Sequence, residues 1–129
     1  MIVGVDHINI RSSEYERAKD LFVKVLGLKE GPRPAIAKAR GAWLYSGEQA
    51  LVHLSATDEP TRPSKGSAID HFALRIKDYD EAVRRLKSFG TEYRANELPD
   101  LGLRQLVVTV PGGATLELNW RDVAAPAPA

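Results

Sequence analysis

The chain repeats itself at an offset of 64 residues, and a unit present twice in 129 residues must fold as one small supersecondary motif made two times. Asp6-His7-Ile8-Asn9-Ile10-Arg11 lies over Asp70-His71-Phe72-Ala73-Leu74-Arg75, and Val52-His53-Leu54 lies over Leu116-Glu117-Leu118. Side chains that bind metals occupy matching places in both copies. His7 and His71 fall near the start of the unit, and His53 and Glu117 near its end. All 3 histidines of the chain are on this pattern, which raises it above a chance scatter of polar residues.

The local signals give the unit its order. Alternation over Ile2 to Arg11 predicts a strand with His7, Asn9 and Arg11 on one face and Ile8 and Ile10 on the other. Ser13 followed by Glu16 reads as a capping box. The helix after it buries Tyr15, Ala18, Leu21, Phe22 and Val25, and Gly27 stops it. Gly31 to Arg40 reads as a loop, with a weak signal for a further strand near Lys29. Strands follow near 41–45 and 50–55, joined by Ser46-Gly47-Glu48-Gln49.

The polar stretch from Thr57 to Ser67, with Pro60, Pro63 and Gly66, reads as a linker. The second copy repeats the order. A strand is predicted over Ile69 to Ile76, then a helix capped by Asp78 and Glu81 whose buried face is Tyr79, Ala82, Val83, Leu86 and Phe89. Short strands follow at 91–95, 105–110 and 114–120, the last two joined by Pro111-Gly112-Gly113.

Period-2 alternation then places His53 opposite Val52 and Leu54, and Glu117 with Thr115 and Asn119 opposite Leu116, Leu118 and Trp120. With the apolar faces packed under the helices, His7, His53, His71 and Glu117 share the remaining face and form a candidate metal site. Three imidazoles and a carboxylate suit a borderline divalent ion (Zn, Ni, Fe, Mn or Co) rather than Ca²⁺ or Mg²⁺. Four protein ligands leave open positions on a six-coordinate ion, or close a tetrahedral structural zinc site; spacing does not separate the two. Arg11 and Arg75 repeat on the same face, where each suits either an anionic substrate group or an edge salt bridge. Trp43 and Asn119 are further candidates for lining a substrate pocket, whereas Arg33, Lys38 and Arg40 suit a basic lid or a solvated loop.

Bulk properties exclude more than they propose. A net charge of +1 gives no footprint for nucleic acid or a membrane surface, and the absence of cysteine removes disulfides, thiolate ligands and a thiol nucleophile. No apolar run approaches the roughly 20 residues of a membrane span, and Met1 to Asp6 has no basic leader region, so a soluble cytoplasmic protein is the expectation. The Ala- and Pro-rich residues 123–129 read as a disordered tail.

Val5-Asp6-His7-Ile8-Asn9-Ile10, Leu51-Val52-His53-Leu54, Ile69-Asp70-His71-Phe72-Ala73 and Leu116-Glu117-Leu118-Asn119, with Pro111-Gly112-Gly113 before the last, resemble the vicinal oxygen chelate superfamily. That superfamily includes glyoxalase I, methylmalonyl-CoA epimerase, extradiol dioxygenases, and fosfomycin and bleomycin resistance proteins. The likeness spans roughly residues 1–120. It implies an α+β fold of two tandem βαβββ modules forming a curved mixed sheet with a metal-binding cleft. Module 1 would cover residues 1–56, a linker 57–67 and module 2 68–122, the whole forming one domain over 1–122.

The resemblance also implies a homodimer, with ligands shared between chains as one arrangement, and a divalent metal cofactor. His53 departs from glyoxalase I, which carries a glutamate there. The remaining set of His7, His71 and Glu117 looks like the two-histidine, one-carboxylate set of extradiol dioxygenases and fosfomycin-modifying enzymes. His53 is then a fourth ligand, or an acid or base beside the ion. The leading expectation is a metal-dependent enzyme of isomerase or lyase type that chelates a small oxygen-rich substrate, with Glu117 or His53 moving the proton. An Fe(II)-dependent dioxygenase and a metal-free small-molecule binding protein are the alternatives.

Overall fold

The computed structural model describes residues 1–35 and 37–122; the tail expected at 123–129 lies outside the described residues. The chain divides into two units. The first runs from Met1 to Arg62 and includes Pro111–Gly113, and the second holds Pro63–Val110 and the chain from Ala114 on. The class is α+β with tandem βαβββ modules, as the repeat predicts.

In the first unit, β1 (Ile8–Ser12) leads to α1 (Tyr15–Asp20), which continues as a wider π-helical turn over Leu21–Val25. β2 (Lys29–Gly31), β3 (Gly41–Ser46) and β4 (Gln49–Ala56) complete a four-stranded sheet of order β1-β4-β3-β2. β4 runs parallel to β1 and antiparallel to β3. Ile10, Leu44, Val52 and Leu54 are buried on one face of this sheet, and Ala18, Leu21, Phe22 and Val25 are the buried residues of the helix. All the apolar positions assigned to this helix by spacing are buried.

The second unit repeats the plan with β5 (Phe72–Arg75), α2 (Tyr79–Ser88), β6 (Arg94–Leu98), β7 (Leu103–Thr109) and β8 (Thr115–Arg121) in the order β5-β8-β7-β6. The offset of 64 survives in the pairing. Ile8 opposite Val52 becomes Phe72 opposite Leu116, and Trp43 opposite His53 becomes Val107 opposite Glu117. Leu106, Val108, Leu116 and Leu118 are buried, as are Tyr79, Ala82 and Leu86 of α2. Truncating one of these leucines to alanine leaves a cavity that costs about 2–5 kcal/mol.

Several boundaries differ from the pattern. The strands predicted from Ile2 and Ile69 begin only at Ile8 and Phe72, because the residues before them face no ladder partner and alternation alone does not hold a strand. Met1, Ile2, Val3, Val5 and Ile69 are accordingly exposed. Ser13 does not cap α1. Its hydroxyl lies 3.0 Å from that of Thr61, while the Ser12 hydroxyl accepts from the Glu14 N–H at 2.9 Å. Asp78 does cap α2, accepting from the Glu81 N–H at 2.9 Å.

α2 ends in a Schellman turn, with Thr91 N–H on the Leu86 carbonyl, Gly90 N–H on the Lys87 carbonyl and Gly90 at φ 67°. The strand predicted at 91–95 accordingly starts later, at Arg94, and runs on to Leu98. Phe89, assigned to the buried face, is the C-cap and is exposed because the last full turn ends before it. β2 forms at the weakly signalled position around Lys29 and takes in the first residue of the predicted loop, where Gly31 lets the Tyr45 ring lie against its backbone while the Tyr45 hydroxyl donates to the Pro32 carbonyl at 2.6 Å.

The Pro111–Gly113 turn is fastened within the first unit. Ser12 is fully buried and donates to the Pro111 carbonyl at 2.7 Å, Thr61 donates to the Gly112 carbonyl at 2.6 Å, and the Gly112 N–H donates to Glu14 Oε2 at 3.1 Å. Gly112 has φ 103°, and a Cβ there would overlap the Ser12 hydroxyl. Gly112→Ala is therefore expected to destabilise by roughly 1–3 kcal/mol or more through strain and overlap together. Gly47→Ala, at φ 59° with nothing near its Cβ, should cost about 1 kcal/mol. Chemical denaturation of the two variants measures the difference, and equal losses would mean that the turn is not clamped.

Candidate functional site

Each unit presents one pair of the sequence-predicted ligands on the sheet face opposite its apolar core. In the first unit, β4 carries His53 between buried Val52 and Leu54, and Trp43 stands opposite it on β3. The rings of Trp43 and His53 stack with centroids 3.9 Å apart and planes 9° apart, and His53 stacks in turn on His7 at 3.8 Å and 11°. His7 precedes β1 and so lacks ladder hydrogen bonds of its own. The Gln49 side chain holds the segment instead, donating to the Asp6 carbonyl at 2.8 Å and the Val5 carbonyl at 3.3 Å. These residues, with Glu48 and Ala50, line a cleft of about 520 Å³.

In the second unit, Glu117 of β8 accepts from Gln105 of β7 at 2.8 Å through Oε1, while its Oε2 lies 3.2 Å from His71 Nε2. Gln105 also donates to Asn119 Oδ1 at 3.1 Å. Asp70 is held from the segment before it: the Gly66 N–H donates to Oδ2 at 2.7 Å and the Ser64 hydroxyl to the Asp70 carbonyl at 2.8 Å. The stretch that reads as a linker thus positions the site.

Both repeat histidines share one hydrogen-bonding arrangement. His7 Nδ1 sits 2.7 Å from Asp6 Oδ2, and His71 Nδ1 sits 2.8 Å from Asp70 Oδ1. A carboxylate on Nδ1 fixes that nitrogen as the donor and leaves Nε2 as a lone-pair ligand, as in many metal sites. The Asp-His dipeptide of the repeat therefore carries more than a strand start. Asp6, Asp70, Gln49 and Gln105 are the supporting residues that spacing does not reveal. The register opposite Asn119 is the one signal for Gln105, since it puts both on one face.

The donor sets fit an ion unequally. Two ligand atoms at right angles around an ion, each about 2.1 Å from it, stand about 3 Å apart. His71 Nε2 and Glu117 Oε2 are close to that spacing. His7 and His53 are not in such a pose, because an ion lies in the plane of each imidazole that binds it, and two nearly parallel stacked rings share no such point. Among the described residues, no three histidine or carboxylate side chains gather around one point. Of the remaining candidates, Arg11 is engaged by the Thr57 hydroxyl at 2.9 Å and Glu59 at 3.5 Å, and Arg75 is exposed at the end of β5 opposite Asn119.

Residues 4–118 match the family described as the Glyoxalase/Bleomycin resistance protein/Dioxygenase superfamily. The chain belongs to that superfamily. A curated relative, Glyoxylase I 4 of Arabidopsis thaliana, is 24% identical over 123 residues, covering 91% of this chain and 70% of the relative. A putative glyoxalase family protein from Bacillus anthracis shares the fold at TM-score 0.77 and 23% identity, covering 95% of this chain and 98% of that one. So does a Glu-to-Gln mutant of the fosfomycin resistance protein FosX of Listeria monocytogenes, solved with Mn(II) and 1S,2S-dihydroxypropylphosphonic acid, at TM-score 0.73 and 15% identity, covering 95% of each chain. No helix among the described residues is long and apolar enough to cross a membrane.

The two units bias their histidines in opposite directions. Burial and then the charge of His7 hold His53 below the ordinary imidazole value. The hydrogen bond to Asp70 and then the charge of Glu117 hold His71 above it. A raised folded value gives His71 a stabilising contribution that is complete below the unfolded pKa and is lost as pH rises through the folded one. The depressed value of His53 does the reverse, so folding loses stability as pH falls through the unfolded value toward the folded one. In metal-free protein, an NMR titration should give the His71 midpoint above about 6.5 and that of His53 below it. Asp70→Asn should lower the His71 midpoint and leave His53 unmoved; an unchanged His71 would remove Asp70 as the cause.

Proposed function

We propose that the protein is a metal-dependent enzyme that binds a small substrate through adjacent oxygens and moves a proton on it, in the manner of an isomerase or lyase. The observation that carries this reading is the repeated Asp-to-Nδ1 arrangement, which leaves His7 and His71 free to ligate through Nε2. His7, His71 and Glu117 hold the ion, and a homodimer brings a first-unit pair of one copy to a second-unit pair of the other. Bound there, a divalent cation supplies Lewis-acid stabilisation of negative charge developing on the substrate oxygens.

The chain's own residues do the remaining work. His53, stacked between Trp43 and His7 and held neutral near pH 7, is the base that takes the substrate proton. The Trp43 face shields one side of that imidazole from water. Gln105 fixes Oε1 of Glu117 and so leaves Oε2 beside His71 Nε2, where it would serve as a ligand. Asn119, joined to the same amide, presents its remaining hydrogen-bonding capacity to substrate. A two-histidine, one-carboxylate set with open positions also suits Fe(II) oxygen chemistry, which makes a dioxygenase the second reading.

Elemental analysis of protein purified without chelator tests the proposal. Wild type should carry a stoichiometric first-row metal, His71→Ala and Glu117→Gln should lose it, and His53→Ala should keep it. Asp70→Asn should weaken metal affinity about 10–100-fold. Bound manganese, zinc, nickel or cobalt supports proton transfer, and iron supports the dioxygenase. Protein with no metal would point to sequestration of a small molecule and sink the enzymatic reading. Light scattering should give the mass of two chains.

A further inference from the structure

The first unit holds a cation that the ion and its ligands do not use. Arg33 lies in the segment between β2 and β3, inside Pro32-Arg33-Pro34. A proline fixes its own φ, and it confines the residue before it to extended conformations, so both neighbours restrict the arginine backbone. The Tyr45 hydroxyl on the Pro32 carbonyl anchors the segment to the sheet. The Arg33 side chain then lies over Gly41, where Nη2 would stand 2.8 Å from any Cβ built at that position. Gly41 shares its face with Trp43, His53 and Ser55, because it pairs with Ser55 two positions along the ladder from the Trp43–His53 pair.

The guanidinium is therefore laid on the sheet face that bears Trp43 and His53. Its Nε is buried without a hydrogen-bond partner among the described residues, and it has no carboxylate partner there. Arg11, Arg17 and Arg40 of the same unit are each paired, with Glu59, Glu14 and Glu16. A preorganised, half-buried and unpaired guanidinium is costly to hold unless something completes it, and an oxyanion is the group its fork fits.

The repeat sharpens the point. Gly41 corresponds to Gln105, whose amide holds Glu117 in the second unit. Where the second unit puts a neutral donor beside a carboxylate, the first removes the side chain and admits a cation beside a neutral histidine.

We propose that Arg33 binds a compact oxyanion of the substrate, a carboxylate or a phosphate-like group, next to His53. The substrate class is then an acid with its anionic group set apart from the oxygens that reach the metal. This rests on the enzymatic reading above, and it assigns the anion to Arg33 rather than to Arg11.

Inorganic phosphate and acetate, titrated separately into the full chain as purified, test it. The readouts are the Arg33 Nε–H and Trp43 indole N–H resonances, with metal content measured on the same samples. At least one anion should shift both resonances saturably. Arg33→Gln should weaken that binding at least about tenfold, as expected for loss of a charge-assisted pair, while Arg33→Lys retains part of it and Arg11→Gln all of it. The tighter anion identifies the group. Melting curves of the variants confirm that each is folded, and unchanged metal content separates this assignment from the metal site. Arg33→Gln protein that binds both anions as well as wild type, or wild type that binds neither, overturns the proposal even where the metal is present.

Discussion

A parallel strand pair has no tight turn to set its register, and a slip of one residue would send every side chain to the opposite face. In both units that register is the constraint on which the rest depends. Ile8 meets Val52 and Ile10 meets Leu54, and the same pairs recur as Phe72 with Leu116 and Leu74 with Leu118. Val52 and Leu54 of β4 and Leu116 and Leu118 of β8 are buried almost completely. Any slip would expose them and bury His53 or Glu117 against the core, so the hydrophobic face holds the polar face in place. β4 and β8 are also hydrogen-bonded on both sides, which gives His53 and Glu117 rigid platforms. His7 and His71 lie just outside the ladder and depend on side-chain bonds instead.

The repeat made the fold readable because burial follows period and the period was intact in both copies. It carried the strand, helix and three-strand order, both helix faces apart from exposed Phe89 and half-buried Val83, and, within each unit, the sheet face that bears its candidate ligand on the last strand. What escaped was decided by contacts that no short window contains. Whether residues 2–7 extend β1 depends on the absence of a neighbouring strand, and Ser13 failed as a cap because Thr61, far along the chain, competes for its hydroxyl. β2 needed the Tyr45 ring over Gly31. In the site, Asp6 and Asp70 were visible as letters of the repeat, yet their use became visible only through their distances to Nδ1. The stacking of His53 between two rings had no signal in spacing at all.

The broken symmetry of the repeat separates the electrostatics of the two units. In the second, the hydrogen bond to Asp70 and then the charge of Glu117 hold the His71 imidazole above its ordinary value. In the first, the aromatic stack removes His53 from water, while His7 and Arg33 add positive charge beside it, so the neutral form prevails.

The substitutions behind this difference are few and lie at matched register positions. Glu117 becomes His53, Val107 becomes Trp43, and Gln105 becomes Gly41. The three act together, since the glycine opens the space that the arginine fills and the tryptophan supplies the face on which the histidine rests. The duplication supplied the scaffold twice, and the coupled change in one copy is what gives the first unit a chemistry of its own.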